Sequence, residues 1–393
     1  MQCCAATGVQ SEPDFAGLVD VLAGDPAHHE QLMTLLREDH PVYAGRGTAA
    51  IVRMRGWVLL ALARTALSDN ALVYVLEELE TGIDAYLVAA AARALRSCPR
   101  PTEALAPFVM RAITNIRYRD EPVSFAGYGE YAVALTDTTA VRELLATLAW
   151  LGPRARAVLA ELELLRTRGG GFPRKLRVDL DRALHAIRAP VSGDPAVAHS
   201  CCGTMPEGVT SISSWSPDVR RSADPIESVS LQDQDGILIT FKAFFQGQPS
   251  IVVFFYTRCD NPMKCSLTVT KLARVQRILE ARGLTDRIHT AAITYDPAFD
   301  LPARLRVYGQ ERGVRTSAGH RMLRVAEDDG ALRRHFELGV NFVESLVNRH
   351  RIEVYILDAD GRIAASFDRI HWDEEQVVAR TVETLNEASA SAG

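Results

Sequence analysis

The hydrophobic pattern of this 393-residue chain changes once along its length, and that change constrains the fold more than any other feature. Residues 14–189 are rich in Ala, Leu and Arg, with apolar positions at helical spacing. From residue 226 onward, β-branched and aromatic runs alternate with helical segments. The sequence therefore predicts an α-helical domain over 14–189 and an α/β domain over 226–387, joined by a linker at the Pro-, Gly- and Ser-rich residues 190–225.

Composition narrows the class of protein. With 47% hydrophobic and 24% charged residues, the chain has ample apolar material for two cores. A net charge of −5 gives no electrostatic reason to expect nucleic acid as a partner. No apolar stretch approaches the ~20 residues that span a bilayer, and no basic start or apolar leader is readable at the N-terminus. We therefore expect no membrane span and a cytoplasmic location.

The first domain is predicted to be built from helices of 10–20 residues joined by short turns. The predicted helices cover residues 48–67, 69–80, 83–96, 102–116, 139–151, 154–168 and 174–187. Such pairs are typical of an α-solenoid, and residues 83–96 resemble the second helix of a HEAT repeat. A plain helical bundle is the alternative. A solenoid would offer its concave face to a protein client.

The second domain shows the element order of a thioredoxin-like layer. Strands are predicted at 236–245 and 250–256, and the second is apolar throughout, as in a strand buried on both faces. Further elements are a helix at 262–282, a strand at 288–295, helices at 302–312 and 329–338, a weak strand at 322–325, a hairpin at 353–367 that turns at Asp360-Gly361, and a last helix at 373–386. Residues 388–393 are expected to be disordered.

Two cysteines bracket the turn between the buried strand and the following helix. Cys259 and Cys265 lie where helix N–H groups stabilise negative charge, so a thiolate is favoured there. A thiolate serves both disulfide exchange and metal ligation, and the pattern alone leaves both open. A second cluster, His199 with Cys201 and Cys202, is a candidate accessory site for a soft metal ion, and the role of Cys3-Cys4 is open.

Around these cysteines the sequence resembles the SCO (synthesis of cytochrome oxidase) proteins of copper delivery. That family carries a Phe-x-Thr-x-Cys-x3-Cys-Pro turn, a Val-Asp-Pro-x-x-Asp-Thr-Pro segment, and an Asp-His-x4-Tyr-Leu segment before a hairpin. The corresponding stretches here are Tyr256-Thr257-Arg258-Cys259 with Cys265, Tyr295-Asp296-Pro297 with Asp300 and Pro302, and His350 with Tyr355 before Asp360-Gly361. The resemblance covers about residues 226–387.

The resemblance implies copper as the cofactor and assigns its ligands. By position these are Cys259, Cys265 and His350, with the two cysteines also forming a redox pair and Asp296 lying close to the metal. Thiolates select Cu(I), and an imidazole completes a site that also tolerates Cu(II). The implied function is a copper chaperone or a thiol reductant of a partner's copper site. The pairing of the two domains adds the expectation that the helical repeats dock a protein client, for which a copper protein is one candidate. Family members are usually membrane-anchored and extracytoplasmic.

The sequence departs from the family pattern in three places. The cysteines are spaced C-x5-C, which on one continuous helix would turn the second sulfur some 120° away from the first. Residues 260–262 must therefore bulge if both sulfurs are to meet. Ser266 replaces the proline after the second cysteine, and Arg349 replaces the aspartate before the histidine.

Two other functions remain as alternatives. One is a metal-independent thiol–disulfide oxidoreductase, which would make the protein an enzyme. The absence of Cys-x-x-Cys, and of a proline just before residues 353–357, counts against it. The other is a protein-interaction scaffold whose redox domain is vestigial.

Overall fold

The computed structural model describes residues 9, 11–129, 138–167, 174–190, 215–217, 223–343 and 346–391. The chain forms two compact units, Met1–Ile212 and Ser213–Gly393, and their boundary falls inside the predicted linker. The accessory cluster His199, Cys201 and Cys202 lies outside the described residues, as does the Cys3-Cys4 pair. That cluster therefore stays a prediction.

The first unit is helical. Its elements are α1 (Glu12–Ala23), α2 (His29–Thr34), α3 (Thr48–Leu62), α4 (Asp69–Thr81), α5 (Ala85–Leu95), α6 (Ala106–Ile116), β1 (Pro122–Val123), β2 (Thr138–Thr139), α7 (Ala140–Leu151), α8 (Leu159–Thr167) and α9 (Arg177–Arg188). Side-chain oxygens cap several N-termini, as at Ser68 before α4 and Asp84 before α5. Each helix predicted from the sequence is found at its position, with ends shifted by a few residues.

In this unit, helices that alternate along the chain pack side by side. α5 contacts α3, α4 and α7, and α7 in turn contacts α6 and α9. Close approach depends on small residues: the ring of Tyr86 on α5 occupies the space that a side chain at Gly56 on α3 would need. Ala89, Ala90 and Ala91 are fully buried. The helical nature of the domain is confirmed, whereas a HEAT-like solenoid remains a prediction.

The second unit is an α/β layer. Its elements are β3 (Trp215–Pro217), β4 (Ser230–Asp233), β5 (Leu238–Thr240), α10 (Phe241–Phe245), β6 (Ser250–Phe255), α11 (Leu267–Ala281), β7 (His289–Thr294), α12 (Pro302–Glu311), β8 (His320–Val325), α13 (Gly330–Phe336), β9 (Val340–Val343), β10 (Leu346–His350), β11 (Glu353–Leu357), β12 (Ile363–Asp368) and α14 (Glu374–Ser391). Eight strands form a mixed sheet in the order β3-β12-β11-β6-β7-β8-β4-β5. A separate two-stranded sheet pairs β9 with β10.

The centre of the mixed sheet has the thioredoxin-like arrangement that the sequence predicts. β6 is buried at every position and pairs in parallel with β7. Helix α11 forms the crossover connection between these two strands. On its other side β6 pairs antiparallel with β11, which continues into β12. Gly361, at φ +77°, supplies the left-handed residue of the predicted turn between β11 and β12. The thioredoxin-like fold of the C-terminal unit is confirmed.

The structure corrects one predicted strand and extends one helix. Residues 236–245 do not form a single strand, because β5 ends at Thr240 and α10 begins at once. Thr240 caps this short helix, and Phe241, Phe244 and Phe245 bury one face of it. The last helix continues to Ser391, five residues beyond its predicted end. No helix among the described residues is long and apolar enough to cross a membrane.

A buried ion pair in the helical unit gives a stability prediction. Arg55 is 1% exposed and contacts Glu38 and Glu78, at 3.3 and 3.2 Å. Replacing Arg55 by Leu leaves both carboxylates buried without this cation, so we expect a loss of about 3–5 kcal/mol in the free energy of unfolding. Urea denaturation followed by helical circular dichroism measures it.

The matched control is Arg64→Leu on the same helical unit. Arg64 is half exposed and pairs with Asp20, so its loss should cost less than about 1 kcal/mol. Equal losses in the two variants would contradict a special role for the buried cation.

Candidate metal and thiol site

Strand register brings together residues that are distant in sequence. Antiparallel pairing sets Val354 opposite Val253, so the start of β11 lies beside the end of β6. The segment just before β11 carries His350, and the loop just after β6 carries Cys259. The sheet thus brings Cys259 and His350, 91 residues apart in sequence, together at one end of these two strands.

The loop after β6 lets both cysteines face the same point. One π-helical turn, Pro262–Ser266, precedes α11. Before it, the Asn261 side chain caps the turn by accepting a hydrogen bond from the Met263 amide at 3.0 Å. Residues 259–261 are not helical. The expected bulge is therefore present, and the wider turn brings the Cys265 sulfur back towards Cys259.

The sulfurs and the imidazole converge. His350 Nε2 lies 3.5 Å from Cys259 Sγ and 3.4 Å from Cys265 Sγ. The donor atoms of these three residues all lie within 4.8 Å of one another. Both cysteines are free thiols; Cys265 is 1% exposed, whereas Cys259 is half-buried. Among the described residues, this is the one group of three or more His, Cys, Asp or Glu side chains with metal-ligating geometry.

A backbone contact fixes the tautomer of the imidazole. His350 Nδ1 lies 2.9 Å from the Arg351 carbonyl oxygen, which can only accept a hydrogen bond. We therefore assign the proton to Nδ1. The lone pair of Nε2 then points at the two sulfurs, as it does in a metal-ligating histidine.

Buried charges hold the segment behind His350. Arg351 pairs with Glu353 at 2.5 Å and with Asp368 at 3.0 Å, and its amide donates to the Gly339 carbonyl at 2.9 Å. Glu353 is fully buried and also accepts a hydrogen bond from the Tyr295 hydroxyl. This network ties the β10–β11 junction to β9 and β12.

The two thiols have opposite acidities. A hydrogen bond from the Cys265 thiol, together with the contact with the His350 ring, outweighs burial and lowers the pKa of the Cys259 thiol to about 3. Burial and the neighbouring Cys259 sulfur raise the pKa of the Cys265 thiol. Without metal the pair therefore holds one thiolate, on Cys259, and one proton, on Cys265.

Aromatic rings surround the donor atoms. The rings of Tyr256 and Tyr295 lie 5.4 and 5.5 Å from the His350 ring, measured between centroids. Burial raises the pKa of both tyrosines and that of Tyr308, so none carries a charge at neutral pH. The rings limit the access of water to the sulfurs.

Asp296 and Asp300 contact the cysteine loop in different ways. Asp296, expected close to a metal, forms an ion pair with Arg258 beside Cys259. Asp300 is fully buried and accepts hydrogen bonds from the Thr257 amide at 3.0 Å and from the Thr294 hydroxyl at 2.5 Å. Asp300 thus anchors the loop, a role that the sequence analysis did not assign, although it quoted the residue in a motif.

Lys264 is the other residue that the sequence analysis passed over. Its ammonium donates a hydrogen bond to the His350 carbonyl oxygen at 2.7 Å, and its side chain is buried. No periodicity or spacing rule finds such a contact. The only signal in the sequence was its position beside Cys265, inside the lengthened motif.

The donor set suits two kinds of chemistry. Two sulfurs and one imidazole nitrogen are the ligands of a soft metal ion. A thiolate beside a buried thiol is also the arrangement of a dithiol that exchanges with disulfides.

The part of the chain that is similar to known proteins is the second unit. The SCO1/SenC family model matches residues 219–386. This range contains all three donor residues and leaves the helical unit outside the match. No curated protein matches the chain.

Solved structures that match the chain include a SCO1/SenC family lipoprotein from Bacillus anthracis, with 18% identity and a TM-score of 0.36 over 40% of this chain and 94% of that one. Bradyrhizobium japonicum ScoI with copper bound matches with 21% identity and a TM-score of 0.30, over 40% and 94%. Yeast Sco1 with copper bound matches with 24% identity and a TM-score of 0.32, over 40% and 90%.

The acidity of Cys259 gives a prediction for alkylation of the metal-free protein. Because its pKa of about 3 keeps Cys259 ionised above pH 4, its reaction with iodoacetamide should change less than about threefold between pH 5 and 8. An ordinary thiol of pKa near 8.5 gains roughly 10³-fold in thiolate over that interval. Peptide mass spectrometry after timed quenching follows each cysteine separately.

The control is Cys259→Ser, which should remove the pH-insensitive product. If Cys259 instead reacts faster with each pH step up to 8, the assignment of a resident thiolate is wrong.

Proposed function

We propose that the C-terminal unit binds copper through Cys259, Cys265 and His350 and acts as an SCO-like copper chaperone. The convergence of two sulfurs on one imidazole nitrogen, within 4.8 Å, carries the proposal. The donor set fits the ion because thiolates select Cu(I) and a neutral imidazole completes three-coordination. The match of the SCO1/SenC model, and the copper bound in the yeast and Bradyrhizobium relatives, support the choice of metal.

Each donor residue has a separate part in this proposal. Cys259 is already ionised and half-buried, so it would meet incoming copper first. Cys265 would lose its proton on binding, which makes uptake release a proton. The Arg258–Asp296 pair acts through the loop next to Cys259 and does not contribute a ligand.

A copper titration tests the proposal. Anaerobically reduced full-length protein should bind one Cu(I) per chain against a chromophoric Cu(I) chelator. Under the same chelator concentration, Cys259→Ala and His350→Ala should fall below about one tenth of that stoichiometry, because each removes one of three ligands.

Cys98→Ser is the matched control, since Cys98 is a free thiol on the helical unit and lies outside the donor set. Unchanged binding in both ligand variants, or equal loss in Cys98→Ser, would refute the copper assignment.

A second function, reduction of a partner's disulfide, is favoured by the opposite acidities of the two thiols. The Cys259 thiolate would attack one partner sulfur to form a mixed disulfide. Cys265 would then attack Cys259, release the partner as a dithiol, and leave a Cys259–Cys265 disulfide, so that two electrons pass to the partner. Copper on both sulfurs blocks this reaction.

Turnover of a generic disulfide at equal rates with and without copper would favour a metal-independent oxidoreductase.

We further propose that the helical unit docks the client, and a half-open cavity on it supports this role. The cavity is lined by Trp57, Leu60, Ala63, Arg64, Arg93 and Phe125. The guanidinium of Arg93 is exposed and stacks on Phe125 at 4.8 Å. An acidic client segment with an apolar anchor would fit it. If Arg93→Glu in the full chain leaves client capture unchanged, docking at this cavity is excluded.

A further inference from the structure

A buried lysine connects the two segments that carry the donor atoms. Lys264 lies in the π-helical turn next to Cys265, and its side chain is 7% exposed. Its Nζ atom donates a hydrogen bond to the main-chain carbonyl of His350 at 2.7 Å. A buried ammonium is costly unless it is hydrogen-bonded, and a charge-assisted hydrogen bond is stronger than one between neutral groups. This bond is therefore expected to hold the two segments together.

His350 ends a strand that lies outside the eight-stranded sheet. β10 pairs with β9 in a two-stranded sheet that is separate from the eight-stranded one. An isolated pair of strands is marginally stable in water. The position of the imidazole at the end of this hairpin therefore depends on contacts beyond the strand pairing, which are the Arg351 network on one side and the bond from Lys264 on the other.

The bond to Lys264 also controls the direction of the ring. Nδ1 of His350 is held by the next carbonyl along the chain, that of Arg351, at 2.9 Å. That carbonyl belongs to the peptide unit between residues 351 and 352, whereas Lys264 binds the carbonyl of the preceding unit, between residues 350 and 351. The two bonds therefore act on successive peptide units, and the bond from Lys264 holds the main chain at the residue from which the ring extends. A shift of this main chain would carry Nε2 away from the sulfurs.

We propose that Lys264 is a positioning residue that keeps the imidazole of His350 in the donor set. With Lys264 in place, two sulfurs and one nitrogen face the metal. Without it, the hairpin end relaxes and the two sulfurs bind the metal alone. This inference rests on the proposed copper function, and it adds a residue that fixes the number of ligands.

A double-mutant cycle in the full chain tests the inference. Lys264→Met should weaken Cu(I) binding by about 10–100-fold, the range found when a group that orients a metal ligand is lost. His350→Ala should weaken binding at least as much. Because both changes remove the same ligand, the double variant should bind within about threefold of His350→Ala. Losses that multiply would show that Lys264 acts independently of His350 and would overturn the proposal.

Lys271→Met is the matched control. Lys271 is also a buried lysine, 9% exposed, but it pairs with Glu374 on α14. It should leave the copper affinity within about threefold of wild type. Lys264→Arg keeps a cationic donor and should recover most of the affinity lost in Lys264→Met. An unaltered affinity in Lys264→Met refutes the positioning role.

A metal-free measurement separates this inference from the copper function. The Arg351 amide is bonded to the Gly339 carbonyl at 2.9 Å, so its hydrogen exchange reports opening of the hairpin end. It should exchange at least about tenfold faster in Lys264→Met and at the wild-type rate in Lys271→Met. If wild type binds no copper, the proposed function fails, while this exchange still decides whether Lys264 holds the segment. Equal exchange rates of the Arg351 amide in wild type and Lys264→Met would show that Lys264 does not hold the segment.

Discussion

The antiparallel register of β6 and β11 is the constraint on which the rest of the site depends. It sets the last residues of β6 beside the first residues of β11. The cysteine loop after β6 and the histidine segment before β11 therefore meet at one end of the strands. β6 is buried along its whole length, and a slip by one residue would turn its Val and Phe side chains to the opposite face. The packing of the core thus fixes the spacing of the donor atoms before any metal arrives.

Hydrogen bonds then refine what the register sets only coarsely. Asp300 holds Thr257 at the start of the cysteine loop, and Glu353 holds Arg351 behind the histidine. These carboxylates are buried, and burial raises the pKa of both. Each accepts hydrogen bonds that offset the cost of burying a charged group. Sulfur and nitrogen are therefore presented from two braced segments, not from freely moving loops.

Much of this architecture could be predicted from the sequence, and the errors have physical causes. Long periodic segments such as α11, and the buried strand β6, gave unambiguous signals. Residues 236–245 misled because Phe241, Phe244 and Phe245 fit helical spacing as well as an apolar strand run. Strands β9 and β10 went unpredicted, since short, half-buried strands carry little pattern. The sequence singled out Cys259, Cys265 and His350 by resemblance, but the bond from Lys264 depends on tertiary packing that spacing cannot show.

The distance in sequence between the cysteines and the histidine links ligand binding to folding. An unfolded chain cannot present groups 91 residues apart at one point, so a metal ion that needs all three binds the native state almost exclusively. By mass action, free ion at a thousand times its dissociation constant would add about 4 kcal/mol to the unfolding free energy. Release of the ion to a partner would withdraw that stabilisation, so the emptied unit would unfold more readily than the loaded one.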